Sequence, residues 1–263
     1  MTHHMSAFSV SVLLVTGAAA SAQGQTSRPA DTVRVEVGSR LVNGRVYDEH
    51  AARVLVHRSD SPARGSEWTN TLTLGDSAGR PVQRWVSAGV QRPASGDSTT
   101  WEIFQNYDRE TLAPYGFFFR SSTGMEIRLT IDGRRVRGSR RANASAAAHP
   151  VDVTLPAPAF MANASDLVPL AVGLREGLVM TAPMWNPFTS EFRVSAFVVL
   201  AQRDVDVEGK TWRAWPVEER NADGNRLVAI WYLVAEPPYM VAGEVPLPGG
   251  GVQRMTEVLV PRR

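Results

Sequence analysis

The chain of 263 residues is 43% hydrophobic and 21% charged, proportions of a folded globular protein that exclude wholesale disorder and a bundle of membrane-spanning helices. It has no cysteine, which excludes disulfides, a thiolate nucleophile, cysteine-ligated zinc and a lipid-modified N-terminal cysteine. The formal net charge is only +2, carried almost wholly by arginine, with Lys210 as the single lysine.

From Ser6 to Ala20 the chain reads as an uninterrupted run of apolar and small residues ending at Ala20-Ser21-Ala22. That run has the length of a signal h-region, falls short of the ~20 residues of a spanning helix, and closes on a small-x-small cleavage site. Residues 1–22 are therefore expected to be a signal peptide, although its start carries His3 and His4 in place of Lys or Arg. Residues 23–32, polar with Pro29, read as a flexible leader, and 33–263 as a single antiparallel β domain. No later apolar run is long enough to cross a bilayer. The expected location is the bacterial periplasm or the medium, with no transmembrane segment after cleavage, and nucleic acid is excluded as a partner.

Strand signals follow in order. Val33, Val35 and Val37 alternate with Arg34 and Glu36; Trp68, Leu72 and Leu74 alternate with Thr69, Thr71 and Thr73. Met125, Ile127, Leu129 and Ile131 alternate with Glu126, Arg128, Thr130 and Asp132, and Asp132-Gly133 forms the hairpin turn into a strand bearing Arg134, Arg135, Arg137, Arg140 and Arg141. Period-two alternation marks strands with one wet face, and an arginine cluster of this kind reads first as a solvated hairpin. Further strands are expected at 45–58, 80–90, 99–107, 115–121 and 151–155. The last third reads as a meander of 191–207, 210–219, 226–236, 239–246 and 252–260. Short connections of this kind put neighbours side by side in an antiparallel sheet.

Two stretches, 192–201 and 227–235, are apolar on both faces, so something must cover the second face. A helix can supply that cover: Asn163 or Ser165 caps a segment with Leu167, Leu170, Ala171 and Leu174 at helical spacing, Pro169 near its start and Gly177 at its end. Met184-Trp185-Asn186-Pro187-Phe188 follows as an aromatic loop.

This order of elements resembles a bacterial secreted family, the domain of unknown function 3108, from about Trp68 to Leu259. The likeness lies in the strand ending Ile131-Asp132-Gly133, the helix after Asp166, the Val205 to Lys210 hairpin, Ala229-Ile230-Trp231-Tyr232, and Met255 to Leu259. The family is similar in architecture to lipoprotein carriers of the LolA/LolB type. The resemblance implies a mainly β fold, a curved antiparallel sheet or half-barrel covered by one short helix and loops. In the carriers such a cavity holds acyl chains; the family itself brings no activity.

Catalytic patterns are sparse. Gly75-Asp76-Ser77-Ala78-Gly79 fits the G-x-S-x-G elbow, which needs a strand-to-helix turn, but strand alternation with Pro81 follows it. A serine hydrolase using Ser77 is the remote alternative. His50, His57 and His149 lack partners at metal-binding spacing, and no cofactor is expected. Asp204 with Asp206 and Glu218 with Glu219 read as solvated strand ends, and the sequons at Asn143 and Asn163 as coincidence. The aromatics Phe117, Phe119, Trp185, Phe188, Trp212, Trp215 and Trp231 read either as core or as the lining of a ligand pocket. The sequence thus points to a non-enzymatic envelope protein. It binds a hydrophobic or lipid-like ligand among Leu170, Leu174, Trp185, Phe188, Phe197 and Trp231, with Trp185 and Phe188 as a mobile lid beside a loosely laid helix. An envelope protein partner meeting a filled core is the alternative.

Overall fold

The computed structural model describes residues 32–60, 65–77, 79–93 and 96–260. The expected signal peptide, and all of the leader but Thr32, lie outside the described residues. A short strand β1 (Thr32–Arg34) and a 3-10 turn (Gly44–Val46) precede a first meander. Its strands are β2 (His50–Arg58), β3 (Gly65–Ser77), β4 (Arg80–Arg92), β5 (Thr99–Asp108), β6 (Pro114–Ser121), β7 (Glu126–Asp132), β8 (Arg135–Arg141) and β9 (His149–Thr154). Then come β10 (Phe160–Met161), a second 3-10 turn (Ala162–Ala164) and the helix α1 (Leu167–Val172). A second meander holds β11 (Val179–Trp185), β12 (Phe192–Val199), β13 (Arg203–Val207), β14 (Lys210–Asn221), β15 (Leu227–Ala235), β16 (Pro238–Pro246) and β17 (Val252–Val260).

All these strands belong to one unclosed sheet. Successive strands pair antiparallel within each meander, except that β12 and β13 both pair with β14, and the two meanders join where β17 runs antiparallel to β2, Gln253 opposite Arg58 and Val260 opposite Ala51. One end of the sheet is β9. At the other, β1 and β10 share the outer edge of β11, and both run parallel to it. The sheet is therefore not purely antiparallel: β10 comes over from β9 at the opposite end of the sheet rather than from a hairpin.

The alternation does place side chains as expected in β7, where Ile127, Leu129 and Ile131 are buried and Arg128, Thr130 and Asp132 exposed. The arginine-rich strand beside it is a lattice of cross-strand contacts. Arg135 forms a bidentate pair with Asp152, at 2.8 and 3.0 Å, and Arg141 lies 3.9 Å from Glu126. Exposed pairs of this kind contribute little each. Arg140 differs, donating to the Pro187 and Phe188 carbonyls and so pinning the loop after β11.

Two apolar clusters fill the concave side. One gathers Phe197, Val217 and Leu233 around α1, and the other Phe117, Ile127, Met161 and Trp185. The helix is shorter than the expected 163–177, because Gly173 takes φ 97° and ends it four residues early. Asn163 and Ser165 do not cap it; both reach across to the sheet. The second face of β15 is covered not by the helix but by the β13–β14 hairpin, whose Val205, Val207, Trp212 and Ala214 pack on Tyr232 and Val234. On β12 that face stays partly open, with Val194 38% exposed.

Candidate functional site

Period two puts Trp68 and Asn70 of β3, Trp85 and Ser87 of β4, and Trp101, Ile103 and Gln105 of β5 on the inward face. From the other meander come Trp231 of β15, Met240 of β16, and Met255 and Glu257 of β17. These residues, with Tyr47, His50, Tyr239 and the segment around Asp166, line a cavity of about 300 Å³. That size lies at the lower end of small-molecule sites.

Two glycines shape its walls. Gly89 stands between Trp68 and Trp101 across three strands, and a Cβ there would lie 2.3 Å from that of Trp68. The missing side chain lets the two indoles close over the gap, centroids 5.5 Å apart. Gly243 lies opposite Trp231, where a Cβ would meet the indole at 2.9 Å and Met255 at 3.0 Å. Trp85 completes the aromatic wall, edge-on to Tyr47 at 5.8 Å and to His50 at 5.5 Å.

The segment closing the cavity is firmly tied. Asn163 donates to Gln105, which donates to Tyr107 at 2.7 Å; the Tyr47 hydroxyl donates to the Leu167 carbonyl at 2.6 Å. Ser165 donates at 2.7 Å to Glu219, a fully buried carboxylate that also accepts from Ser195 at 2.9 Å and Trp231 at 3.1 Å and pairs with Arg193 at 2.8 Å. Five of the six residues of α1 are buried. The loosely laid helix expected from sequence is thus replaced by one sealed onto the sheet, and the cavity opens beside its start rather than beneath it.

Two more carboxylates face the interior with less compensation. Burial, and then the nearby charge of Asp166, push Glu257 up to about 8, against the opposing effect of its 3.4 Å bond from Asn70. Burial is also the main cause that lifts Asp166 to about 6, the Glu219 charge adding to it. Asp166 keeps some accessible surface because it lines the cavity, yet protein surrounds it. Among the described residues neither acid has an arginine, lysine or histidine within ion-pair distance, and no group of three or more His, Asp or Glu is placed to hold a metal. Three other polar atoms of lining residues are buried without a hydrogen-bond partner: His50 Nε2, Trp85 Nε1 and the Tyr239 hydroxyl.

Of the six residues named from sequence, Trp231 lines this cavity. Leu170 and Phe197 are buried in the cluster around α1, and Leu174 packs against it. Trp185 belongs to β11 rather than to a loop and is 1% exposed, and Phe188 stacks edge-on against Phe117 at 5.3 Å and Phe119 at 5.1 Å. Held in this way beneath the bonds from Arg140, they form core and not a lid. Asp166 and Glu257 were missed; the legible signal was a carboxylate in step with Met255 on the inward side of a strand. Ser77 sits exposed at the tip of the β3–β4 hairpin opposite Arg80, not on a strand-to-helix turn.

Fold and cavity together define a β-barrel-like protein with a cavity lined from its inward face. No family model matches the chain, and neither does any curated protein. Among solved structures it is similar to the crystal structure of a β-barrel-like protein of the domain of unknown function DUF1849 from Brucella abortus. The TM-score is 0.50 at 12% identity, over 82% of this chain and 98% of that one. At that identity the likeness shows the fold, and it agrees with the curved, mainly β form expected from the sequence.

Proposed function

We propose that this is an exported, non-enzymatic protein of the bacterial cell envelope that holds a small hydrophobic or lipid-like molecule inside its half-barrel. The observation that carries the reading is the internal cavity of about 300 Å³ walled by Trp68, Trp85, Trp101 and Trp231, since apolar concave sites with a few convergent polar groups are where small molecules bind. Its size suits a short apolar group better than a long acyl chain. The apolar run before Gln23 supports export. Native mass spectrometry of the protein purified from its own periplasm tests both points. A bound small molecule and an N-terminus at Gln23 are expected; ligand-free protein, or uncut chain in the cytoplasm, overturns the corresponding half.

A second reading, an envelope protein-interaction module, draws on β9, which ends the unclosed sheet. A strand edge is a template for pairing with another chain. Recovery of a stoichiometric protein in place of a small molecule in the same experiment favours that reading.

A further inference from the structure

The cavity is surrounded by a protein with 28 arginine and lysine residues, yet none of them lines it. The lining groups of formal charge are Asp166 and Glu257, and the neighbouring Glu219 is already neutralised by Arg193. The aromatic part of the wall is four indoles and two phenols, whose faces carry negative electrostatic potential, and the remainder is apolar or neutral polar. His50 completes the pattern. Its Nδ1 lies 2.8 Å from the Asp48 carbonyl, so that nitrogen is the donor and Nε2, buried without a partner, is left as an acceptor in the neutral ring. The Tyr239 hydroxyl, on a residue 4% exposed, likewise has no partner.

We propose that the ligand of this cavity is an organic ammonium ion, its charged head set between Asp166 and Glu257 and its apolar group against Trp68, Trp85, Trp101 and Trp231. The inference rests on the small-molecule reading above and names the ligand's class. A cation over desolvated indole faces is held by the ring quadrupoles, and a buried carboxylate without a counter-charge is the kind of group for which a cation is strongly favourable. The N–H groups of an alkylammonium also match the acceptors at Glu257, Asp166 and His50 Nε2. An anion or a second carboxylate would meet the same field with the opposite sign.

The site also implies a pH response. The ionisable groups that face it are Asp166 beside α1, Glu257 on β17, His50 on β2, Tyr47 and Tyr239, with the Glu219–Arg193 pair behind. Ionisation of Asp166 and Glu257, both held at raised pKa by burial, strengthens the attraction for a cation, so affinity rises from about pH 6 to about pH 9.

The test is isothermal titration of the folded protein at about pH 9, where both acids are ionised, with three probes of one chain length, n-hexylammonium, n-hexanol and n-hexanoate, and tryptophan fluorescence as a second readout. Hexylammonium is expected to bind about tenfold or more tighter than hexanol, with hexanoate weakest. Asp166→Asn and Glu257→Gln should each remove most of the difference between hexylammonium and hexanol. Hexanol binding equal to or tighter than hexylammonium, or hexanoate binding tightest, overturns the ammonium assignment but leaves the cavity reading standing. Failure of all three probes to bind overturns both. Because the probe series is run on the unaltered protein, the outcome does not depend on the variants folding.

Discussion

Glu257 occupies an inward position of β17 beside the apolar Met255, and burial there holds its proton. An unfolded glutamate releases its proton near pH 4.3, whereas the folded one keeps it up to about pH 8. Between those limits the folded chain binds more protons, so stability is fully present below the lower limit and falls as pH rises through the upper. Asp166 acts in the same direction over the narrower window that ends at about 6. Each tenfold change in acidity corresponds to about 1.4 kcal/mol, so ionising Glu257 in place costs on the order of a few kcal/mol. Glu257→Gln keeps the shape of the protonated acid and removes that cost. Urea melts should show parent and variant alike near pH 4 and the variant more stable at about pH 9; a variant less stable at the higher pH would mean that Glu257 is ionised and compensated. In the sequence this glutamate was one polar residue in an alternating strand, whereas Trp231 stood out by size. Inward or outward orientation decides which of two such residues matters, and period two alone does not say which face is inside.

At the level of strands, Gly243 of β16 gives the clearest link between local geometry and the cavity. Its hydrogen atom lies where any Cβ would press on the Trp231 indole, and overpacking of this kind typically costs 1–3 kcal/mol. Gly243→Ala should lower the melting temperature by a few degrees and push the indole into the cavity. Ligand affinity is then expected to fall several-fold by fluorescence titration, and an unchanged affinity would place Trp231 outside the binding surface. Most strands were legible for the reason seen in β7, where one wet face forces alternation. β11 was not: from Ala182 to Trp185 every residue is buried, so both faces of its second half are dry and the alternation vanishes there. The helix was overestimated because its apolar spacing continues to Leu174, while the left-handed Gly173 ends it first. Cover for the outer face of β15 could not be read either, since a hairpin folding back on its own sheet leaves no helical signature.

For the whole molecule, the telling contact is the ladder between β17 and β2, which joins segments roughly 200 residues apart and makes two meanders into one sheet. The curved mainly β form was legible because each meander is local; the joint between them was not, since no short-range pattern records it. The cavity straddles this joint, taking Trp68, Trp85 and Trp101 from one side, Trp231 and Met255 from the other, and Glu257 and His50 from the two strands that meet there. A binding surface divided in this way does not exist until the slowest, most distant pairing has formed. Its occupant therefore acts as a brake on escape rather than a guide to assembly. By the usual partition of stability between the two rates, saturating ligand should slow unfolding in denaturant jumps by the full binding factor and leave the refolding rate unchanged. Faster refolding with ligand would instead mean that the two halves meet early, around it.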